Sequence, residues 1–502
     1  MQFKNRFLIV AASAMGVSLL VQVLAFLRQL LIAAYFGVGR DFDAYVMVYT
    51  VATVVVFTFA GIFDSIAVPH LVRTRESDGP EAAFALARSI IRLSLLLGCG
   101  ISLVFLIAVP LFAPIFATGF SPEERADLVN LTWYFLPWTC VCMPYYAAAA
   151  RHKMEWHFNR VFFAEIVIVV VSIGFLALRH GEIHMLPIAY AMGYAAGLLV
   201  LVADIALWRR AGNRISPSVR GVVRNIRELF FANQTGGLAS LADRHMQSFL
   251  AAGGIGAVNY SSQITSSLAT LLSFRDIYVV PLTQQVDRAK RLERLLSGVL
   301  LIAVPAAGFI ACLAPDVVKV LLQRGRFDAA ATTLTADVLR IGAFSLVTSA
   351  ILTPLARMFQ IIDRIHYTHV VYLTVAASTV IFGYLFVIML GWGVQGVALM
   401  QLTSSAATTV VTAYLVDRCG IKLWWRSILG WLVLAAFVSG IASFAALAAV
   451  SGLENTWLRL TAGGAAYGSI VLVCYFIARA KLHGLVFGLG QLGNEGGSAP
   501  AE

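Results

Sequence analysis

The chain is a succession of long apolar stretches separated by short polar segments. About 20 consecutive apolar residues are enough to cross a bilayer as an α-helix, and stretches of that length recur about fourteen times along the sequence. Their approximate bounds are, in order, 7–36, 43–70, 83–111, 123–150, 157–179, 185–208, 226–251, 257–283, 292–314, 331–359, 365–391, 394–417, 426–450 and 457–480. The pattern predicts an all-α polytopic membrane protein with about 14 transmembrane helices.

The composition supports this class and excludes a large soluble domain. Of 502 residues, 60% are hydrophobic and only 13% are charged, whereas a soluble domain is about 45–50% apolar and about 25% charged. The net charge of +11 does not indicate nucleic acid, because the basic residues lie in short loops between apolar stretches. The six cysteines are scattered, and the one close pair, Cys140 and Cys142, predicts no metal site.

The loops predict the orientation of the chain. Roughly 23 lysines and arginines fall on one side of the predicted helices and about 7 on the other. Cytoplasmic loops carry the excess of positive charge, so both termini are expected in the cytoplasm.

An internal repeat predicts two related lobes. Segments beginning at Phe112 and Val318 each contain a glycine, a phenylalanine and a residue suited to cap a helix, at an offset of 206 or 207. The matched residues are Gly119, Phe120 and Ser121 in the first copy, and Gly325, Phe327 and Asp328 in the second. Duplicated halves around a central cavity are common in transporters. We therefore expect two six-helix lobes around such a cavity, with two further helices at the C-terminus.

The predicted division places the most basic loop between the lobes. The segments are an N-terminal lobe (1–210), a cytoplasmic basic linker (211–225), a C-terminal lobe (226–420), two final helices (421–485) and a disordered Gly/Ser-rich tail (486–502).

The first hairpin carries a charge where a membrane helix should be apolar. Arg28 interrupts the first helix, where a cation costs about 2.5–3.5 kcal/mol, so it is expected to face a wet cavity or a partner. Asp43, after the glycine turn, is a candidate partner, and a purely structural pair or a side chain reaching the surface are the alternatives. Gln22 lies six residues before Arg28, about 120° around the helix, and is expected to border the same cavity.

Three further helices contain candidate polar residues. Asp243 and Arg244 are adjacent and point about 100° apart, so one is expected to face the cavity while the other pairs locally. Asp243 is a candidate for a coupling cation or proton, with a structural pair as the alternative. Glu165 in helix five is a weaker proton-site candidate, with a solvated position as its alternative.

Helix eight adds Gln263 and, twelve residues later, Arg275. The guanidinium of Arg275 offers a planar fork to a phosphate. A structural pair with Asp276 is the alternative interpretation.

Three stretches resemble the MurJ/MviN family of the MOP flippase superfamily. They are LAFLRQLLIAAYFGVGRDFDAY from Leu24, QSFLAAGGIGAVNYSSQI from Gln247 and LLQRGRFDAAATTLTADVL from Leu321. The resemblance implies a fourteen-helix flippase of the bacterial inner membrane, not an enzyme. Its substrate would be lipid II, an undecaprenyl-pyrophosphate-linked glycan, moved by alternating access without a cofactor. It also implies a monomer in contact with membrane lipids, and coupling to the membrane potential, Na⁺ or H⁺.

The resemblance carries over to some site residues and not to others. Arg28 and Asp43 match an arginine and an aspartate of the family's cavity. Gln22 and Gln263 stand where the family has arginines, and the family's second-helix arginines are replaced here within Val55–Phe57. The missing cations raise the prospect of a divergent substrate, such as an exopolysaccharide or O-antigen unit.

Two residues are predicted to supply the missing positive charge, and one resembles part of an ion site. Arg244 and Arg275 are the predicted replacements, by position. Asp243 resembles an acidic residue of a sodium site in some relatives, but no matching polar partners are evident on helix eleven, so no metal site is predicted.

Three other functions are alternatives to a flippase. A cation-coupled drug exporter of the same superfamily would favour acidic and aromatic cavity residues over arginines. A polytopic glycosyltransferase would use Asp41 and Asp43, although no outer loop is long enough for a catalytic domain. A scaffold without transport would have lost its cavity chemistry.

Overall fold

The fold is built from helices. The computed structural model describes residues 2–179, 181–203, 236–272, 288–362, 364 and 366–477, and these ranges contain no β-strand. The chain divides into two compact units, Met1–Ser248 and Phe249–Glu502. The predicted linker 211–225 and the tail 486–502 lie outside the described residues, so the lobe bounds stay predictions.

The first unit contains eight described α-helices. They are α1 (Gln2–Phe36), α2 (Arg40–Ile62), α3 (Val68–Ser77), α4 (Pro80–Phe116), α5 (Pro122–Met154), α6 (Phe158–Leu178), α7 (Met185–Val202) and α8 (236–247), with a π-helical turn (Phe63–Ala67) between α2 and α3. Helix α8 belongs to this unit because Arg244 donates to Thr50 of α2 and Ser248, just after α8, accepts the backbone N–H of Gly119.

The second unit contains nine described α-helices. They are α9 (Gly254–Leu272), α10 (Arg288–Cys312), α11 (Ala314–Leu322), α12 (Ala329–Gly342), α13 (Ser345–Ile361), α14 (His366–Gly383), α15 (Gly393–Arg418), α16 (Trp425–Val450) and α17 (Thr456–Ile477), with α14 continued by a π-helical turn (Tyr384–Met389).

The membrane character predicted from the sequence is confirmed. Within the described ranges, nine helices are long and apolar enough to span a bilayer, or ten if one bent pair is a single span. The exact number of 14 stays a prediction. One detail was wrong: the stretch 331–359 is not one helix, because α12 and α13 meet at 46°. The break falls between Gly342 and Ser345, in keeping with the tendency of Gly/Ser positions to bend helices.

Both predicted caps of the repeat are confirmed. The backbone N–H of Glu124 donates to Ser121 Oγ at 3.2 Å, and the Glu124 carboxylate accepts the Ser121 N–H at 2.7 Å. In the second unit, Asp328 Oδ1 accepts the backbone N–H of Ala331 at 2.8 Å. Both copies of the repeat therefore begin a helix with a side-chain N-cap at the matching position.

Small residues allow α6 and α7 to approach closely. Ser172 Oγ donates to the Ile168 carbonyl at 2.7 Å and contacts that of Ala189 at 3.1 Å. A Cβ added at Gly193 would lie 2.3 Å from Ser172 Oγ and 2.5 Å from the Ile168 carbonyl oxygen. This arrangement is typical of membrane helix interfaces, where small residues replace a hydrophobic driving force.

Gly193→Val is expected to lower the melting temperature of the purified protein. Overpacking a tight contact costs about 1–3 kcal/mol, and one of the two opposing groups is rigid backbone. The matched control is Gly174→Val on α6, where an added Cβ meets nothing within 4 Å. Thermal unfolding in detergent, followed by size-exclusion chromatography, measures both. Equal melting temperatures for the two variants would contradict this packing.

Polar contacts also tie the helices of the second unit together. Arg459 at the start of α17 donates to the carboxylate of Asp316 on α11 at 2.9 Å. Farther along α17, the Tyr467 hydroxyl donates to the Pro305 carbonyl at 2.9 Å and meets Ser439 Oγ at 2.6 Å. These bonds satisfy polar groups that hydrocarbon would leave unpaired.

Candidate substrate-binding site

Arg28 lies against the face of an aromatic ring. Its guanidinium carbon is 4.3 Å from the centroid of the Tyr190 ring, which belongs to α7. The Nε atom is buried and has no hydrogen-bond partner, and no carboxylate in the described part of the chain pairs with this side chain. The positive charge is thus held by the negative face of a π-system, an interaction worth about 2 kcal/mol or more where it is desolvated.

Tyr190 is one member of a buried aromatic cluster contributed by three helices. The cluster consists of Tyr45 and Tyr49 of α2, Phe135 and Trp138 of α5, and Tyr190 and Tyr194 of α7. Neighbouring centroids are 5.7 Å apart for Tyr49 and Trp138, and also for Tyr49 and Tyr190. Each helix presents two rings three or four residues apart, which places them on one helical face.

This cluster was not predicted from the sequence, although the spacing of its aromatic residues contains a signal for it. Aromatic residues at i and i+4 recur in α2 and α7, and at i and i+3 in α5. Tyr190, whose ring faces Arg28, packs against Tyr49 and Trp138 of this cluster. The aromatic cluster therefore forms the immediate surroundings of this partly buried cation.

The predicted pairing of Arg28 with Asp43 is wrong. Asp43 is fully buried, and its carboxylate lies 3.9 Å from the guanidinium of Arg40, one turn earlier in α2. The reason is position along the helices. Arg28 lies about 12 Å before the end of α1 at Phe36, at 1.5 Å per residue, whereas Asp43 lies in the first turn of α2.

Arg40 joins two turns at one end of the first unit. Its Nε forms an ion pair with Glu124 of α5, and its guanidinium lies 4.8 Å from the Phe120 ring centroid. The turn before α2 and the turn before α5 therefore meet, as expected if successive helices cross the membrane in alternating directions. Which end faces the cytoplasm stays a prediction.

Asp243 and Arg244 belong to one hydrogen-bond network, and which of them faces a cavity stays a prediction. Arg244 Nε donates to Thr50 Oγ1 of α2 at 2.9 Å, and Arg244 Nη1 donates to Gln247 Oε1. Gln247 Nε2 then donates to Asp243 Oδ2 at 2.7 Å. The two side chains leave the helix about 100° apart, yet Gln247 connects them. It lies one turn after both residues and hydrogen-bonds to each.

Three of the four remaining predicted site residues lie in described helices. Gln22 of α1, Glu165 of α6 and Gln263 of α9 are all partly buried. Arg275 lies outside the described residues. A substrate or coupling role for these four residues, and for Asp243, stays a prediction.

The helices and their apolar spans define a multi-pass membrane protein of the helical-bundle type. A family model described as "Lipid II flippase MurJ" matches residues 32–461. The chain belongs to the lipid II flippase MurJ family.

A curated relative carries the same family name, and solved structures share the fold. A probable lipid II flippase MurJ of Rhizobium tropici is 24% identical over 364 residues, which are 68% of this chain and 67% of the relative. The solved structure of lipid II flippase MurJ in an inward closed conformation superposes with a TM-score of 0.73 at 17% identity, over 92% of this chain and 99% of that one. An inward-facing multidrug resistance MATE transporter of the MOP superfamily gives 0.56 at 16% identity, over 80% and 94%.

Proposed function

We propose that the protein flips lipid II, or a closely related undecaprenyl-pyrophosphate-linked glycan, from the cytoplasmic to the outer leaflet of the bacterial inner membrane. The two lobes would open alternately to each side, with both termini in the cytoplasm and one chain as the working unit. The single observation that carries the proposal is Arg28, a partly buried guanidinium held over Tyr190 without a carboxylate partner in the described chain.

The chemistry of Arg28 suits a pyrophosphate. Stacking on the Tyr190 ring uses the face of the guanidinium and leaves its N–H edge available, and that edge matches phosphate oxygens in bidentate geometry. A strongly hydrated pyrophosphate entering hydrocarbon needs such a donor, whereas the undecaprenyl tail can remain among lipid acyl chains. The site supplies one fixed cation for the head group and leaves the tail in the bilayer.

The aromatic cluster also bears on the rival drug exporter. Rings facing a cavity favour organic cations, but here Arg28 already occupies the face of Tyr190. A second cation at this place would meet a like charge at close range. The arrangement therefore favours an anionic head group over a cationic drug.

Direction can come from the membrane potential. With the inside negative, each negative charge that moves outward gains about 2.3 kcal/mol per 100 mV. A pyrophosphate carries enough charge for this to matter, and no bound nucleotide is needed. Coupling to Na⁺ or H⁺, which the resemblance implies, stays a prediction.

Reconstituted protein tests the proposal directly. Liposomes containing a fluorescent lipid II would be treated with a membrane-impermeant quencher, with a fluorescent phosphatidylcholine as the matched lipid lacking a pyrophosphate. We expect the protein to increase the fraction of lipid II that is quenched and to leave phosphatidylcholine unchanged. Unchanged lipid II accessibility, together with gradient-driven uptake of an organic cation, would refute the proposal and support the exporter.

A further inference from the structure

A cluster of metal-ligand side chains lies far along the chain from Arg28, at the end of α5. His152, Glu155 and His157 bring one ligand atom each to within 4.8 Å of one another. His157 Nδ1 is 3.5 Å from Glu155 Oε2. Two imidazoles and one carboxylate form a ligand set found in zinc sites, which leave a fourth position for water.

His152 is positioned as a metal-binding histidine would be. The residue is fully buried, and its Nε2 lies 2.9 Å from the backbone carbonyl oxygen of Leu201 at the end of α7. Arg151 Nη1, which only donates, lies 3.4 Å from the same nitrogen. The carbonyl, which only accepts, is the nearer partner, so Nε2 carries the proton and Nδ1 presents its lone pair. That Nδ1 is buried and has no hydrogen-bond partner among the residues that the structure describes. Metal-ligating histidines are usually oriented in this way, by donation of the other ring N–H to a carbonyl.

The backbone after α5 turns so that the third ligand can reach the other two. Trp156 has a φ of +61°, and no other non-glycine residue in the described chain has a positive φ. For a bulky residue this conformation is unusual, and it is often associated with function. The turn brings His157 next to Glu155, which the helix alone would not do for residues two apart.

The charges around the cluster are compatible with a divalent cation. Arg151 Nη2 lies 3.2 Å from Glu155 Oε2, but a carboxylate offers about four lone-pair directions and can accept from Arg151 while it ligates an ion. The neutral imidazole is the form that binds a metal.

We propose that His152, Glu155 and His157 bind one zinc ion, with water as the fourth ligand. Zn–N and Zn–O bonds of about 2.0–2.2 Å need the ligand atoms drawn slightly closer than they lie now. His157 can make this movement because its side chain is 55% exposed. The ion would fasten the end of α5 to the following turn and, through His152 and the Leu201 carbonyl, to the end of α7.

Zinc titration of the full-length, tag-free protein in detergent tests the site. We expect isothermal titration calorimetry to give one zinc per chain. The variant His157→Ala should bind at least about tenfold more weakly, since even an outer partner of a metal ligand is worth about 10–100-fold. Because His157 is exposed, the variant is expected to fold, which its elution profile checks.

The matched control is a second histidine–carboxylate pair with no third ligand in the described chain. His184 Nε2 lies 2.7 Å from Glu182 Oε2, and His184→Ala should leave zinc affinity unchanged. Zinc should also raise the melting temperature of the wild type and of His184→Ala, and fail to raise that of His157→Ala. Absence of zinc binding by the wild type, or equal affinity in His157→Ala, would overturn the proposal. Neither outcome depends on whether the protein moves lipid II.

Discussion

Arg28→Ala is expected to abolish transport while the protein still inserts and folds. The substitution removes the guanidinium that meets the pyrophosphate, and hydrogen bonds to charged groups are worth about 1.5–3 kcal/mol, or about 10- to 100-fold in binding. Folding should survive because the side chain makes one ring contact and no ion pair with a described residue. Complementation of a strain depleted of its lipid II flippase, with protein levels measured in the membrane, checks both parts.

Further variants distinguish the effect of the positive charge of Arg28 from that of its planar guanidinium and from a nonspecific effect of removing an arginine. Arg28→Lys keeps the charge but loses the planar fork, so partial function is expected. Tyr190→Phe keeps the ring that faces Arg28 and should function nearly normally. Arg340→Ala is the arginine control, because Arg340 is exposed and its pair with Asp337, at 3.8 Å, is worth little. Normal growth with Arg28→Ala would remove this residue from the substrate site.

Arg244→Ala is expected to destabilise the first unit. The Arg244 side chain donates hydrogen bonds both to Thr50 of α2 and to Gln247 of α8. Its loss also leaves the Asp243 carboxylate with less compensating charge. Breaking a fully buried ion pair costs about 3–5 kcal/mol. This network is partly buried, so the cost should be smaller, but the melting temperature should still fall below that of the wild type in detergent.

A double variant distinguishes this structural role from a substrate contact. In Asp243→Asn/Arg244→Ala the uncompensated carboxylate is gone, so part of the lost stability should return, as expected for coupled neighbours. The wild-type melting temperature in Arg244→Ala, combined with weaker binding of lipid II, would contradict the structural role. It would instead support the sequence-based prediction that Arg244 replaces a missing cavity arginine.

The helical membrane architecture could be predicted because it depends on local features of the sequence, namely apolar runs and an internal repeat. Runs of about 20 apolar residues mark membrane helices, and the repeat marked two equivalent helix starts, whose caps at Ser121 and Asp328 were found as expected. The break between α12 and α13 was harder to predict. Gly342 and Ser345 lie inside an apolar run, and hydropathy does not register a bend there.

The candidate site was only partly predictable, because its contacts join distant helices. Arg28 stood out as a charge in hydrocarbon, yet its partner proved to be a ring on α7 rather than the nearest acid. A charge draws attention to opposite charges, whereas aromatic residues in an apolar sequence look like ordinary packing. Gln247 was likewise missed, since a neutral amide gave no reason to expect that it joins Asp243 and Arg244.

The most direct test of the central claim is the equilibrium affinity of the purified protein for lipid II in nanodiscs, with and without Arg28. The account predicts that Arg28→Ala weakens binding about 10- to 100-fold, that Arg28→Lys falls between, and that Arg340→Ala matches the wild type. An Arg28→Ala protein that is folded and binds lipid II with wild-type affinity would contradict it.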